Sequence, residues 1–116
     1  MTLDTTFKKH TLVVVSAIIE KINQHPTEVK TTAEYAKEAN ISRKKLQAAF
    51  KHITGAGVQE YRLLKRMTFA SQLLREGEKP IKEIALICQF SSQRAFTTAF
   101  KKSFGLTPLD FQKKNI

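Results

Sequence analysis

The chain has 116 residues, 41% of them hydrophobic, which is enough to bury a core within a single domain. Twenty Lys and Arg face ten Asp and Glu, so the formal net charge is +10, and such a field favours a polyanionic partner such as nucleic acid or an anionic membrane surface. The single cysteine, Cys88, excludes an internal disulfide and a Cys-rich zinc site, and four Gly and three Pro are too few for a turn-rich all-β fold.

A first amphipathic helix is predicted from about Phe7 to Gln24, and Pro26 lies just past its end. Its apolar residues recur at helical spacing: Leu12, Val15, Ile18, Ile19 and Ile22. The apolar run is too short to span a bilayer and stops at Glu20, so we expect no membrane segment here.

The next segment has the outline of a helix-turn-helix. Thr31 followed three residues later by Glu34 predicts a capping box and a short helix through Ala39. Asn40 tolerates the left-handed backbone that ends a helix. Ser42 then predicts the start of a second helix over residues 43 to about 54, after a turn of only a few residues.

Gly55 and Gly57 interrupt the chain before a long predicted helix over about residues 58–76. The apolar residues of this helix fall on nearly all sides, which predicts burial on several sides and a role in joining two lobes. After Gly77, Pro80 is predicted to open a helix that runs to about Cys88. Three further signals follow: Ser91 or Ser92 caps a helix that reaches about Ser103, Gly105 ends it, and Thr107-Pro108 opens a short last helix.

The second half of the sequence repeats the first. At a shift of 49, four residues have counterparts: Glu34, Ala36, Ile41 and Ser42 match Glu83, Ala85, Phe90 and Ser91. After one inserted residue, the shift is 50: Leu46, Ala49, Phe50, Lys51, Gly55 and Tyr61 match Phe96, Ala99, Phe100, Lys101, Gly105 and Phe111. We therefore predict an all-α domain over residues 1–116, with helix-turn-helix lobes at about 8–56 and 78–116 joined by the helix at about 58–76.

The second helix of each predicted lobe has an apolar side and a basic side. The apolar sides are predicted to comprise Leu46, Ala49, Phe50 and Ile53 in one lobe and Phe96, Ala99, Phe100 and Ser103 in the other. The opposite sides carry cations, amides and hydroxyls and no acid. A DNA major groove accepts one such helix, where Arg94 can pair with guanine and Gln47 or Gln93 with adenine, while Lys44, Lys51 and Lys101 can contact bases or phosphates.

Both lobes resemble the DNA-binding domain of the AraC/XylS family of bacterial transcription regulators over about residues 15–114. In the second lobe the similarity lies in Pro80-Ile81-Lys82-Glu83-Ile84-Ala85, Phe90-Ser91-Ser92, Phe96, Phe100-Lys101-Lys102-Ser103-Phe104-Gly105-Leu106-Thr107-Pro108 and Phe111. In the first it lies in Ala36, Ser42, Leu46, Phe50-Lys51, Gly55, Tyr61-Arg62 and Lys65-Arg66-Met67. The resemblance implies seven helices, two helix-turn-helix lobes and a linking helix.

The resemblance also implies where DNA is contacted. The base-contacting positions of the family fall at Lys44, Gln47, Ala48, Gln93, Arg94, Ala95 and Thr98. Backbone contacts are expected from Thr32, Ser42, Arg43, Lys45, Lys51, Arg62, Lys65, Arg66, Ser91, Ser92, Thr97, Lys101 and Lys102. Ala48 and Thr98 stand where many members have Arg, Gln89 where Gly is usual, and Gln112 where Arg is common. The target sequence of those members therefore does not transfer.

The expected function is sequence-specific binding of double-stranded DNA in the bacterial cytoplasm, on the nucleoid, to regulate transcription as an activator. RNA polymerase is a candidate partner, and a stand-alone protein of this type would bind DNA as a monomer. The chain resembles stand-alone members, and a fragment of a larger regulator fits equally. No cofactor, metal or catalytic residue is expected, because His10, His25 and His52 lack metal-ligand spacing and no catalytic motif appears.

Two alternatives remain open. A basic helical module could bind an acidic protein without contacting bases, and salt-sensitive, sequence-dependent DNA binding would distinguish the two functions. RNA binding requires exposed aromatic rings on which bases stack, whereas the Phe residues fall mostly on the predicted core faces.

Overall fold

A computed structural model of the chain describes residues 7–114 and contains, within them, seven α-helices and no strand. The helices are α1 (Lys9–Gln24), α2 (Thr32–Ala39), α3 (Arg43–Thr54), α4 (Val58–Glu76), α5 (Ile81–Ile87), α6 (Gln93–Phe104) and α7 (Pro108–Lys114). The predicted all-α fold is confirmed. Two starts differ slightly, since α1 begins at Lys9 instead of Phe7, and Pro80 precedes the first turn of α5 instead of opening it.

The helices form two compact units, and the boundary between them falls inside α4, between Arg62 and Leu63. Of the described residues, 7–25 and 29–62 belong to the first unit, and 26–28 and 63–114 to the second. The first turn of α4 contributes Val58 to the core of the first unit, and later turns contribute Met67 and Leu74 to the core of the second. Because α4 contributes residues to both cores, it carries apolar residues on nearly all of its sides.

In the first unit, α1 packs against α2 and α3, which also pack against each other. Its buried core consists of Val15, Ile18, Ile22, Tyr35, Ala36, Leu46, Ala49, Phe50 and Val58. The predicted capping box is present: Glu34 N donates to Thr31 Oγ1 at 3.1 Å, and Thr31 N donates to Glu34 Oε1 at 2.8 Å. Hydrogen bonds from the backbone and side chain of Thr31 hold the pKa of the Glu34 carboxyl below its usual range.

In the second unit, α6 packs against α5 and α7. Its buried core consists of Met67, Ala70, Leu74, Ile84, Ala85, Cys88, Phe96 and Phe100. Cys88 is the buried small apolar residue that the sequence predicts, and burial raises the pKa of its thiol to about 11. The thiol is therefore protonated and unreactive near neutral pH.

The internal repeat is visible as repeated contacts. Phe50 meets Tyr61 edge to face at 5.4 Å and 75°, and Phe100 meets Phe111 at 5.3 Å and 74°. These aromatic pairs join α3 to α4 in the first unit and α6 to α7 in the second. The turns correspond as well, because Ile41 N donates to Ala36 O and Phe90 N to Ala85 O, both at 3.0 Å.

The second unit has one extra residue, Ser91. The alignment that matched Ser42 with Ser91 is therefore wrong, and Ser42 corresponds to Ser92. Ser42 Oγ accepts from Lys45 N at 3.0 Å, and Ser92 Oγ accepts from Ala95 N at the same distance. The turn contacts are related by a shift of 49 and the caps by a shift of 50, so the insertion lies between Phe90 and Ser92. Ser92, not Ser91, is therefore the N-cap of α6.

Replacing the N-cap distinguishes the two neighbouring serines. Ser92→Ala is expected to cost about 0.5–2 kcal/mol of unfolding free energy, because the Ala95 N–H loses its acceptor at the helix start. Ser91→Ala is the matched control and should change stability by less than about 0.5 kcal/mol. Thermal unfolding without DNA measures both, and an equal loss from the two variants would contradict this cap assignment.

The tight turns place two non-glycine residues in the left-handed region, Asn40 at φ 55° and Gln89 at φ 65°. Asn tolerates this conformation through local hydrogen bonding, whereas Gln carries the steric cost of its Cβ. Gln89→Gly should therefore stabilise the second unit by about 0.5–1 kcal/mol, since relief of a cost of about 1–2 kcal/mol exceeds the extra entropy glycine loses on folding. Asn40→Gly, measured in the same way by thermal unfolding, should stabilise the chain less than Gln89→Gly does. A Gln89→Gly variant that melts at a lower temperature than the parent would show that the backbone at Gln89 is not strained.

The inner sides of α3 and α6 differ from the prediction in their last turn. Ile53 is 41% exposed and Ser103 is exposed. Thr54 and Phe104 take the inward position instead, and Phe104 packs at 4.6 Å from Phe100. The reason is helical phase: a step of four residues from Phe50 or Phe100 returns within about 40° of the same side, and a step of three falls about 60° short.

Candidate nucleic-acid interface

The recognition helix of the first unit, α3, exposes its basic side to solvent. Lys44, Gln47, Ala48 and Lys51 are all exposed, as predicted from the helical wheel. The first turn of α3 contains no acid, and its last turn carries Lys51 and His52. No carboxylate on this helix therefore opposes an approaching phosphate.

An open groove lies beside the start of α3. Thr32, Arg43, Lys44 and Gln47 line it. Thr32 is the first residue of α2 and Arg43 the first of α3, so two helix N-termini with their partial positive charge meet this groove. Two cations, a hydroxyl and helix N–H groups at one place suit an anionic oxygen such as that of a backbone phosphate.

The recognition helix of the second unit, α6, presents more varied chemistry. Gln93, Arg94 and Thr98 are exposed, and Ala95 and Thr97 are half-buried. The first turn of α6 contains no acid, and Lys101 and Lys102 lie in its last turn. The side chains of Gln93, Arg94 and Thr98 have no hydrogen-bonding or charged partner among residues 7–114, so their donors and acceptors are open to a ligand.

The predicted backbone contacts on α4 are less accessible than those on α3 and α6. Arg62 is only 7% exposed, and its guanidinium donates to Gln59 Oε1 at 2.6 Å. Gln59 Nε2 in turn donates to Lys30 O at 3.2 Å and Thr32 Oγ1 at 3.1 Å. Arg62 therefore supports the start of α2 from within the first unit, and its contact with the DNA backbone stays a prediction.

The other two predicted backbone contacts on α4, Lys65 and Arg66, are half-buried. The Arg66 guanidinium stacks on the Phe90 ring at 4.5 Å and its Nη1 lies 3.5 Å from Cys88 O. Both partners belong to the turn between α5 and α6. Arg66 thus braces the turn that precedes the second recognition helix, a role that the sequence did not reveal.

Gln47 has a second role that the sequence prediction missed. Its Oε1 accepts a hydrogen bond from Val58 N at 3.2 Å and so satisfies a backbone donor at the start of α4. Gly57 precedes that helix and carries no side chain that could cap it, which is the one signal in the sequence for an outside acceptor.

Each unit thus holds a short helix, a tight turn and a capped recognition helix whose exposed side is basic and free of acid. This arrangement defines a double helix-turn-helix domain. Among residues 7–114, no helix is both long and apolar enough to cross a bilayer, and no group of three His, Cys, Asp or Glu is placed to hold a metal ion.

Comparison with known proteins assigns the family. A sequence profile described as a helix-turn-helix domain matches residues 35–114. The regulatory protein SoxS of Salmonella typhimurium is 30% identical over 101 residues, which cover 87% of this chain and 94% of SoxS. The probable transcriptional regulator LumQ of Photobacterium leiognathi is 35% identical over 91 residues, covering 78% of this chain but 37% of LumQ.

The fold is shared with a solved AraC-type regulator from Chromobacterium violaceum, with a TM-score of 0.79, 26% identity and coverage of 93% of this chain and 96% of that one. The chain therefore belongs to the AraC-type family of helix-turn-helix domains found in transcriptional regulators, as the sequence resemblance implied. It spans about a third of the length of the larger relatives and nearly all of SoxS.

Proposed function

We propose that this chain binds double-stranded DNA sequence-specifically and regulates transcription, with α3 and α6 entering the major groove. One observation carries the proposal: both units present, at equivalent positions, a capped recognition helix with an exposed basic side and no acid in its first turn. Cations contact phosphates independently of sequence, and Gln93, Arg94 and Thr98 offer donors and acceptors to base edges.

Double-stranded DNA is favoured over single-stranded nucleic acid by the position of the aromatic residues. All eight Phe and both Tyr lie within residues 7–114, and each of them is buried or half-buried. No Phe or Tyr ring in this part of the chain is fully exposed, so these residues offer no open platform on which unpaired bases stack.

Selection of binding sites from a pool of random duplexes, followed by affinity measurements across a salt series, tests the proposal. We expect an enriched motif whose affinity falls steeply with salt, because bound phosphates release counterions. Equal affinity for all duplexes would contradict sequence recognition. Weak DNA binding together with tight binding to an acidic protein would favour the protein-interaction module instead.

The remaining roles extend the same proposal. We expect activation of bacterial promoters through contact with RNA polymerase, binding of DNA as a monomer when the chain acts alone, location in the cytoplasm with the nucleoid, and no enzymatic activity or cofactor. A reporter gene controlled by the selected motif tests the sign of regulation. Repression of that reporter by the expressed chain would contradict the activator role.

A further inference from the structure

The two recognition helices differ in which side chains are available to bases. In α3 the one amide on the exposed side belongs to Gln47, and its Oε1 accepts from Val58 N at 3.2 Å. Recognition of adenine by Gln uses the side-chain oxygen and nitrogen together. While Gln47 caps α4, this bond occupies one lone pair of Oε1 and holds the amide at the start of that helix, which disfavours the bidentate pair with adenine.

The chain itself shows why the first unit needs this cap. Gly57 N is satisfied by Glu60 Oε1 at 3.2 Å, but Gly57 has no side chain to accept from the following N–H groups. In the second unit the equivalent helix begins at Pro108, which has no N–H, and Thr107 Oγ1 accepts from Asp110 N at 3.1 Å. The residue equivalent to Gln47 at the shift of 50 is Thr97, and no acceptor is needed from it.

Releasing Gln47 toward DNA would leave the part-buried Val58 N–H without a partner, which is unfavourable. Opposite the buried side of α3, the remaining exposed residues are Lys44, Ala48 and Lys51, whereas the exposed Arg43 lies at the helix start and lines the groove that suits a backbone phosphate. Lysines are flexible point charges suited to phosphates, and the Ala48 methyl offers only an apolar contact. In α6, by contrast, Gln93, Arg94 and Thr98 are exposed and have no partner within the described residues.

We infer that the second unit supplies most of the sequence selectivity of this domain, whereas the first unit anchors the duplex mainly through charge. Gln47 serves as the cap of α4, and Gln93 contacts a base. This inference rests on the proposed DNA binding and deepens it by assigning the discriminating residues to α6.

The matched variants Gln47→Ala and Gln93→Ala test the inference, each measured by thermal unfolding without DNA and by site selection from random duplexes. Gln93→Ala should keep the melting temperature of the parent and lose roughly tenfold or more of the preference at one base pair. Gln47→Ala should melt lower by roughly 4–8 °C, the shift expected for about one lost hydrogen bond in a small unit, and select the parental motif.

Gln47→Glu keeps the test decisive if Gln47→Ala folds poorly. The carboxylate retains an acceptor for Val58 N–H at a helix start that favours negative charge, but it has no donor for adenine. This variant should melt like the parent and select the same motif, although its overall affinity falls because the added charge repels DNA.

A motif that changes with Gln47→Glu or Gln47→Ala, or that is unaffected by Gln93→Ala, would overturn the assignment of selectivity to the second unit while leaving DNA binding intact. A parental chain that enriches no motif at all would overturn the proposed function as well. The two failures are therefore distinguishable by the result for the parent.

Discussion

Phe100→Ala is expected to unfold the second unit, at a cost of about 3–5 kcal/mol for a buried phenylalanine. Phe100 is 0% exposed, and its ring lies 5.7 Å from Phe96, 4.6 Å from Phe104 and 5.3 Å from Phe111. Removing it opens a cavity at the centre of this aromatic cluster, which joins α6 to α7. Such a cost is comparable to the whole stability of many small domains.

Chemical denaturation followed by circular dichroism measures this effect. Thr98→Ala is the matched control, because Thr98 is exposed on the same helix and its replacement should change stability by less than about 0.5 kcal/mol. If Phe100→Ala unfolded at the same denaturant concentration as Thr98→Ala, the packing of α6 described above would be wrong.

Arg94→Ala is expected to weaken binding to the selected site by about 1–3 kcal/mol, which is roughly a ten- to hundredfold loss of affinity, and to relax specificity at one base pair. Arg94 is exposed in the first turn of α6 and has no charged partner among residues 7–114. Its planar guanidinium can donate two hydrogen bonds to one guanine, a geometry that lysine does not reproduce.

Lys51→Ala provides the contrast, because Lys51 is exposed near the end of α3 and is assigned to a phosphate. This variant should weaken binding to all duplexes alike and reduce the salt dependence by about the amount of one phosphate contact. Titrations of a labelled duplex at several salt concentrations, with the selected site and a site changed at one base pair, separate the two effects. An Arg94→Ala variant that binds both duplexes as the parent does would remove Arg94 from the interface.

Features set by neighbouring residues could be predicted from the sequence. The capping box of Thr31 and Glu34, the left-handed turn at Asn40 and the cap at Ser42 each depend on residues at most four apart along the chain. Duplication of the pattern then predicted both recognition helices and their exposed basic sides. The same local signals could not decide between Ser91 and Ser92, because both are acceptable caps at a plausible spacing.

Features set by packing could not be predicted. The bond between Gln47 and Val58 joins residues eleven apart on different helices, and it depends on how α3 lies against the start of α4. Burial of Arg62 depends on where the first unit ends along α4, which periodicity alone does not fix. Periodicity places Ile53 about 60° to one side of Phe50 and Thr54 about 40° to the other, and the position of the core decides which of them faces inward.

Because the boundary between the units falls within one continuous helix, a truncation at either end of α4 cuts into one of the two cores. Cutting before Val58 removes from the first unit a side chain that is 0% exposed in its core, and cutting after Leu74 separates the second unit from its own buried Met67 and Ala70. A fragment of the first unit therefore has to keep the start of α4 through Arg62, and a fragment of the second has to keep α4 from Leu63 onward.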